Sequence, residues 1–532
     1  MVMTRAKSIV GQNFLVFDKP VLARYGLEPT IPIDDTLFLH HTLAEEEPHK
    51  LEYLGSLYTD LPYWKDEGKA GEDADYDEET LWHYCATDCI ATASVASRLE
   101  ELAQDSRFKG FDVQRAYKQK LALAELAGRM TRRGLLIDQR TKNELAWTLT
   151  AKRTAALTAI HKHTGNSAFN PSPSSPQTRR LLYDELGFPV LKRSKKTGNP
   201  SVDIDVLQWL TTFCVNKRQS LVLNSLKAWR RWEKLIGTYI DGLNIHLDGC
   251  VHSLWKAALA ETARWRSSDP NGQNWPMRMR SMVVARPGYA FVKFDAEQLE
   301  LRVQSILANC KFLLAALESD DPHERAVLAL FYGADFTNPA SLELARAKYL
   351  AKPKEVRKRE RTLAKNFEYG TGYEGGFEIL FRTIRKQFPK TQERHIKLLY
   401  ERWKALTPEI SRFNRELVAR VDHDGHLDSG LGYQRWFFPG GAKPTDIANR
   451  PIQGFAGDFI NERLLEVDKR LCDSRGEFCS VVTNEHDGFM LEVKENEAEA
   501  VAKETKQTLE QPTKMYDKVV VLPFKYEIDH RW

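Results

Sequence analysis

The stretch "FVKFDAEQLELRV", residues 291–303, raises the question that decides the fold. A mostly apolar run reaches Asp295, and a helical-looking segment begins just after it. An acid at such a junction has two explanations. Asp is a good helix N-cap residue, and a carboxylate at the C-terminal end of a central strand is also well placed to hold a metal ion. The rest of the chain has to decide between them.

A second acidic position lies in "VVTNEHDGFMLEV", residues 481–493. Asp-Gly between two apolar runs predicts a β-hairpin, and a plain turn is the simpler interpretation. The functional interpretation puts Asp487 at the hairpin tip, beside whichever strand pairs with it. If that strand ends at Asp295, two carboxylates converge and need cations between them. Two Mg²⁺ held by two Asp can activate a hydroxyl and stabilise a leaving pyrophosphate.

A basic block precedes this hairpin, with nine Lys or Arg and two acids between Arg346 and Lys365. Within "RTLAKNFEYGTGYEGG" (361–376), Arg361, Lys365, Tyr369 and Tyr373 follow one another at steps of four. On a helix they form one stripe about 18 Å long. Two cations followed by two rings suit a triphosphate and then a base. The alternative is a solvated basic face that ends in two core tyrosines.

The bulk properties set the class of protein. The 532 residues predict three or four domains, and the net charge is only +4. Seven scattered cysteines without a CxxC pair predict reduced thiols. No apolar run is long enough to span a bilayer, and no signal-peptide core is present, so we expect a soluble cytoplasmic protein. Helices inserted between two strand regions predict an α+β layout.

The two acidic stretches and the basic one resemble the motifs of family A DNA polymerases. "DAEQLELR" (295–302) resembles motif A, "RTLAKNFEYGTGYEGG" resembles motif B in its phage form, and "EHDG" (485–488) resembles motif C. Further matches occur in the family's order over residues 115–532: "RGLLID" (133–138), "KLIGTYIDGL" (234–243), "ETARWRSSDPNGQNWP" (261–276), "DPHERA" (321–326) and "ANRPIQGFAGD" (448–458).

The resemblance implies an α+β right-hand polymerase with a palm sheet and helical fingers and thumb, preceded by a partial RNase H-like exonuclease domain. The expected boundaries are 1–112 for the partial 3′–5′ exonuclease-like domain, 113–250 for the thumb region, 251–310 for the first part of the palm, 311–415 for the fingers and 416–532 for the second part of the palm.

The resemblance also implies residue roles at the metal and nucleotide sites. Asp295 and Asp487 would hold two Mg²⁺, with Mn²⁺ as a substitute, and the backbone carbonyl of Ala296 would help. Arg361 and Lys365 would bind the triphosphate of the incoming dNTP, with His323 and Gln298 assisting. Glu300 would lie under the sugar and exclude a 2′-hydroxyl. Tyr373 would stack near the nascent pair, and Tyr369 would also contact the dNTP.

The template-primer would contact a second group. Arg264, Asn449 and Gln453 would touch the minor groove, and His486 would lie near the primer terminus. Minor-groove acceptors are shared by all correct base pairs, so such contacts test pair shape without reading sequence.

Two departures from the family pattern stand out. Motif C usually reads His-Asp-Glu, whereas Gly488 follows Asp487 here, and Glu374 follows Tyr373 where bacterial members carry Gly. Because both Asp remain, we expect activity to persist with altered metal dependence. Tyr369 stands where the family carries Phe or Tyr, and by resemblance Tyr implies tolerance of dideoxynucleotides.

Residues 1–110 resemble the second half of the family's 3′–5′ exonuclease domain. "GQNFLVFD" (11–18) resembles its second motif with Asp18 as the metal ligand, and "YCATD" (84–88) resembles the third with Tyr84 and Asp88, which share one helix face. The first motif, Asp-x-Glu, is not found before residue 10. We therefore expect one of two situations. Either the domain is vestigial and proofreading is absent, or proofreading depends on a separate polypeptide that supplies the first motif.

These observations predict a template-directed DNA polymerase, of a bacterial cell or a phage-infected host, that adds dNMPs to a primer 3′-OH by a two-metal mechanism and releases pyrophosphate. The expected partners are primer-template DNA, dNTPs, and a completing polypeptide or a processivity factor. The alternatives are a nuclease, a non-catalytic DNA-binding relic and a single-subunit RNA polymerase. The absent first exonuclease motif argues against a nuclease. The intact metal and triphosphate residues argue against a relic, and Glu300 with "SSDPNGQN" argues against an RNA polymerase.

Overall fold

A four-stranded antiparallel sheet lies at the centre of the fold and contains both acidic stretches. The computed structural model describes residues 6–66, 78–257, 259–319, 321–372, 376–437, 440–473 and 479–532. Helices surround the sheet, and among the described residues ten α-helices lie in the chain between its strands Tyr289–Ala296 and Cys479–Asn484. The predicted α+β layout with a helical insertion is confirmed.

The N-terminal region contains two short parallel strands and four helices. They are β1 (Ile9–Gly11), α1 (Asp18–Arg24), β2 (Ile33–Asp35), α2 (Thr36–Leu43), α3 (Leu51–Tyr58) and α4 (Glu78–Leu102). Strand β1 is short because the Asp35 carboxylate accepts the backbone N–H groups of Asn13 and Leu15, which turns the chain away from the sheet.

The next segment is mainly helical. It contains α5 (Val113–Arg133), β3 (Leu135–Ile137), α6 (Gln139–Thr164), α7 (Pro176–Arg179), α8 (Ile204–Leu210), α9 (Lys217–Tyr239) and β4 (Cys250–Val251). For residues from about 115 to 245 the sequence predicts long amphipathic helices, and strand β3 is the difference. Gly134 ends α5 with a φ of 62° and Asp138 caps α6, so three apolar residues remain to pair with neighbouring strands.

The first part of the central sheet follows, together with short strands at its side. The elements are β5 (Leu254–Lys256), β6 (Arg266–Ser268), α10 (Met277–Arg280), β7 (Val283–Val284), β8 (Tyr289–Ala296) and α11 (Leu299–Leu307). Strand β8 is buried on both faces, since Val292 and Phe294 belong to one core cluster and Phe291 belongs to another.

Seven helices then form a body with its own apolar core around Phe367 and Trp403. They are α12 (Lys311–Leu317), α13 (Pro322–Tyr332), α14 (Pro339–Leu350), α15 (Lys354–Gly370), α16 (Gly376–Gln387), α17 (Glu393–Leu406) and α18 (Pro408–Asp424). Helix α15 carries the basic stripe.

The last segment returns to the sheet. It contains β9 (His426–Asp428), β10 (Gln434–Trp436), α19 (Pro444–Asn449), α20 (Phe455–Val467), β11 (Cys479–Asn484), β12 (Gly488–Lys494), α21 (Ala498–Leu509), β13 (Thr513–Met515), β14 (Lys518–Val520) and β15 (Phe524–Asp529). The strand order of the central sheet is β11-β12-β8-β15. Helices α5, α20 and α21 share the core cluster on one of its faces.

Within the part of the chain that the structure describes, no helix is both long enough and apolar enough to cross a membrane.

Candidate active site

The two acids singled out in the sequence lie side by side at one end of the central sheet. Asp295 of β8 faces Gly488 of β12 in the strand register, so Asp487 lies next to that pair. The N–H of Ala296 donates to the backbone carbonyl of Asp487 at 3.0 Å. Asp295 does not cap the following helix, because the N-cap residue of α11 is Gln298. The capping interpretation of Asp295 is therefore wrong.

The tip of the β11–β12 hairpin is held by contacts that the sequence did not indicate. His486 has a φ of 73°, and the N–H of Glu485 donates to the Gly488 carbonyl at 2.8 Å, which closes a tight turn. The Glu485 carboxylate accepts from Arg280 Nη2 at 2.8 Å and from Trp532 Nε1 at 2.9 Å. These two contacts fix the turn that presents Asp487.

The electrostatics of the pair suit a cation site. Burial raises the pKa of Asp487 to about 6, and the negative charges of Glu300 and Asp295 add to this shift, while Arg264 opposes it. Carboxylate and carbonyl oxygens are the ligands that Mg²⁺ prefers, and Mg²⁺ commonly binds through one or two carboxylates plus substrate phosphates. Among the described residues, no group of three or more His, Cys, Asp or Glu is arranged to hold a metal. A donor set of two carboxylates and the Ala296 carbonyl therefore fits a substrate-assisted Mg²⁺ site.

The structure accounts for the glycine in motif C. A Cβ added at Gly488 would lie 2.3 Å from the backbone oxygen of Phe294 on β8, far inside van der Waals contact. Strands β8 and β12 approach too closely here for any side chain. The position beside Asp487 thus contributes no third carboxylate in this chain.

Arg264 and Glu300 form an ion pair beside these acids. The Arg264 guanidinium contacts the Glu300 carboxylate, and its Nη2 lies 4.0 Å from Asp487 Oδ1. His486 is 3.5 Å from Gln273, measured from Nδ1 to Nε2, and burial lowers the pKa of His486. The structure thus brings Arg264, Glu300 and His486 to the two acids.

Asn449 and Gln453 lie on the segment that joins α19 to α20. Asn449 ends α19, and Gln453 lies in the π-helical turn Arg450–Gly454, a geometry that is frequent at functional sites. Among the described residues, Oδ1 of Asn449 and Oε1 of Gln298 are buried without a hydrogen-bond partner. Buried acceptors without partners are uncommon in folded proteins.

Helix α15 directs its C-terminal end toward the acids. Burial raises the pKa of Tyr369 to about 12, and the charges of Glu368, Glu300, Asp487 and Asp295 contribute to the shift. The Tyr369 ring lies 6.4 Å from the His323 ring, measured between centroids. Tyr373, the last residue of the predicted stripe, lies outside the described residues.

The cations of the stripe have different surroundings. Arg361 forms an ion pair with Asp321, the N-cap residue of α13, and Lys365 is exposed. His323 is buried, and its Nδ1 contacts the carboxylate of Glu368. The sequence analysis missed Asp321 and Glu368. Both lie inside quoted motifs, and an acid within a basic stripe is the signal that could have identified Glu368.

In the N-terminal region, a lysine occupies the space between Tyr84 and Asp88. Lys65 Nζ lies 2.7 Å and 2.9 Å from the two carboxylate oxygens of Asp88 and 2.9 Å from the Tyr84 hydroxyl. Trp64 Nε1 also donates to Asp88 at 2.7 Å. Tyr84 and Asp88 therefore share one face of α4, as predicted. Asp18 begins α1, and the contacts found for the Lys65 cluster do not include it.

Comparison with known proteins supports the family resemblance. The profile of DNA polymerase family A matches residues 139–532. DNA polymerase I of Streptococcus pneumoniae serotype 4 is 25% identical over 520 residues, covering 93% of this chain and 55% of that protein. DNA polymerase I of Synechocystis sp. is 26% identical over 540 residues, covering 93% of this chain and 50% of that protein. The chain thus spans about half the length of these curated relatives.

A solved structure shows the same fold. The polymerase domain of Pol1 from M. smegmatis, in complex with DNA primer-template and dNTP, superposes with a TM-score of 0.74 at 20% identity. The match covers 96% of this chain and 84% of that one. The profile match covers most of the sequence, and with the paired acids at the end of the central sheet it identifies the chain as a member of DNA polymerase family A.

Proposed function

We propose that this protein is a template-directed DNA polymerase that adds dNMPs to a primer 3′-OH with release of pyrophosphate. The observation that carries the proposal is the meeting of Asp295, at the end of β8, with Asp487, in the turn before β12. The charges of both acids also act on Tyr369 near the end of helix α15. The family membership supports it, as do relatives named DNA polymerase I and a structural neighbour solved with primer-template and dNTP. Primer-template DNA and dNTPs are then the partners, and the cytoplasm of a bacterial cell or phage-infected host is the compartment.

In the proposed reaction the primer 3′-oxygen bonds to the α-phosphorus of the dNTP. The bond from that phosphorus to the bridging oxygen breaks, pyrophosphate leaves, and the hydroxyl proton passes to solvent. Asp295, Asp487 and the Ala296 carbonyl would hold two Mg²⁺, or Mn²⁺ as a substitute. Bound there, the ions would lower the pKa of the hydroxyl and neutralise charge on the phosphates.

The remaining residues bind and orient the substrates. Lys365 is exposed and ready for the triphosphate, whereas Arg361 has to share or leave Asp321 to reach it. His323 is held by Glu368, which fixes the ring orientation. The Gln298 carbonyl, which has no partner among the described residues, and the Tyr369 hydroxyl would contact the nucleotide, and Glu300 would exclude a 2′-hydroxyl. Stacking of Tyr373 near the nascent pair stays a prediction from the family resemblance.

On the DNA side, Arg264 would exchange Glu300 for the primer-template minor groove, in company with Asn449, Gln453 and His486. Acceptors in that groove are common to all correct pairs, so these contacts would sense pair geometry. The buried Asn449 Oδ1 without a partner supports a ligand at this position.

We also propose that the protein does not proofread. The Lys65 ammonium already satisfies Asp88 and Tyr84, and its positive charge would repel a divalent cation at the same carboxylate. Without metal the hydrolysis of a primer end has no activated water. Completion of this region by a separate polypeptide, and a processivity factor, stay predictions.

Primer extension on four templates that differ only at the first unpaired base tests the polymerase proposal. The protein should add only the complementary dNMP to each. A protein that binds the DNA without extending it would instead be the DNA-binding relic. In parallel, a primer with a mismatched 3′ end and no dNTPs should keep its length, and shortening would contradict the absence of proofreading.

A further inference from the structure

Asp295 has a lysine as its second cross-strand neighbour. In the register of the central sheet, Gly488 faces Asp295 from β12 and Lys525 faces it from β15. Lys525 Nζ lies 3.3 Å from Asp295 Oδ2, and each side chain is 60% exposed. The acid that is expected to hold metal therefore has no side chain beside it on β12 and an exposed lysine beside it on β15.

This ion pair contributes little to the stability of the fold. Exposed ion pairs contribute about 0–1 kcal/mol to stability, so the sheet does not need it. For metal binding the lysine is unfavourable, since an ammonium beside a carboxylate competes with a divalent cation for the same oxygens. An anion that came to this place would pair with Lys525 and relieve that competition.

The substrate of the proposed reaction supplies such an anion. A dNTP brings three phosphates, and oxygens that share one octahedral Mg²⁺ lie about 3 Å from one another. Phosphate oxygens that share a cation with Asp295 would thus lie about 3 Å from its carboxylate oxygens. An ammonium already 3.3 Å from that carboxylate reaches them through a change of rotamer, because the lysine stem has four rotatable bonds.

We propose that Lys525 is a dNTP-binding residue that donates to the β- or γ-phosphate of the bound nucleotide and pairs with Asp295 only while the site is empty. This assignment rests on the proposed polymerase function and extends it. Arg361 and Lys365 would approach the triphosphate from helix α15, whereas Lys525 would approach it from the palm sheet. It would supply a positive charge on the β15 side of Asp295, opposite the β12 side, where Gly488 carries no side chain.

The test measures nucleotide binding without turnover. The protein is bound to a primer-template whose primer ends in a dideoxynucleotide, and the dissociation constant of the next complementary dNTP is determined with Mg²⁺ present. Lys525→Met keeps the length of the side chain and removes its charge, and Lys525→Arg keeps the charge. Lys514→Met is the matched control, because Lys514 is exposed on β13, in another sheet, and makes no ion pair among the described residues.

We expect Lys525→Met to weaken dNTP binding about ten-fold, as for the loss of one charge-assisted hydrogen bond. Lys525→Arg should retain most of the affinity for dNTP. Lys514→Met should bind dNTP as tightly as wild type, and none of the variants should change the affinity for DNA. Mn²⁺ binding to the DNA-free protein, followed by electron paramagnetic resonance, supplies a second readout. An unchanged dNTP affinity with tighter Mn²⁺ binding would make Lys525 only a competitor of the metal and overturn the assignment.

An equal loss of dNTP affinity in Lys514→Met would also overturn it, since the effect would then reflect net charge. Failure of the assignment differs from failure of the proposed function. If wild-type protein extends primers but Lys525→Met binds dNTP normally, only the assignment fails. If wild-type protein binds no complementary dNTP and extends no primer, both are overturned.

Discussion

Arg264 and Glu300 form an ion pair directly beside Asp487, with Arg264 Nη2 only 4.0 Å from Asp487 Oδ1. One guanidinium therefore serves two carboxylates in the DNA-free protein. Both members of the pair have other proposed ligands, the DNA minor groove for Arg264 and the nucleotide sugar for Glu300. Binding of substrates would separate them and leave Asp487 to the metal ions.

Replacing Glu300 tests its proposed place under the sugar. Glu300→Ala opens space for a 2′-hydroxyl, so the preference for dCTP over CTP, measured as a ratio of kcat/KM values, should fall at least about ten-fold. Glu297→Ala, three residues earlier and directly after β8, should leave the ratio unchanged. An unchanged ratio in Glu300→Ala would show that another residue excludes ribonucleotides.

Removing the charge of Asp487 should stabilise the metal-free protein. Its pKa is raised from 3.8 to about 6, so the ionised carboxylate is disfavoured in the fold. The destabilisation by this charge is fully present above pH 6 and is lost as the pH falls through 6 toward 3.8. In EDTA at pH 8, Asp487→Asn should therefore melt about 2 °C above wild type.

At pH 4 the two melting temperatures should converge, because wild-type Asp487 is then largely protonated in the folded state. Scanning fluorimetry at both pH values measures the effect. A lower melting temperature for Asp487→Asn at pH 8 would contradict the account, since the carboxylate would then be stabilising.

Restoring a side chain at Gly488 should damage the protein although the family carries Glu there. The added Cβ would lie 2.3 Å from the Phe294 oxygen, and overpacking of this kind costs about 1–3 kcal/mol. Gly488→Ala should lower the urea midpoint and primer extension together. Gly237→Ala in helix α9 has open space around its Cβ and should gain about 0.5–1 kcal/mol. A Gly488→Glu variant more active than wild type would refute this explanation.

Tyr369 should determine the response to dideoxynucleotides. With a pKa raised to about 12, its hydroxyl stays protonated at neutral pH and can donate a hydrogen bond. By the family resemblance that hydroxyl replaces the missing 3′-hydroxyl contact, so Tyr369→Phe should lower ddNTP use relative to dNTP at least about ten-fold. Tyr526→Phe, on β15, serves as the control. Equal ddNTP use by Tyr369→Phe and wild type would disprove this role.

The sequence was informative where the chemistry lies in local patterns. The apolar run before Asp295 and the Asp-Gly turn predicted a strand end and a hairpin, and the steps of four predicted one helix for Arg361, Lys365 and Tyr369. The pairing of β8 with β12 joins residues almost two hundred positions apart. From the sequence we could say only that the two acids would converge if these strands paired.

Other features of the site depend on tertiary contacts that no local pattern encodes. Lys65 and Lys525 are single lysines that belong to no sequence motif. Each forms an ion pair with a carboxylate that only the fold brings near it. The tight approach of β12 to β8 at Gly488 is likewise invisible in sequence, where the glycine is only a departure from the family motif.

The most direct test of the account compares primer extension by wild type, Asp295→Asn, Asp487→Asn and Asp517→Asn at several Mg²⁺ concentrations. Asp517 is an exposed acid in the turn between β13 and β14 and controls for the loss of one charge. Wild type and Asp517→Asn should extend the primer only when Mg²⁺ is present, and the other two should not extend it. Extension by Asp295→Asn or Asp487→Asn at the wild-type rate would contradict the assignment of these acids as the centre of the reaction.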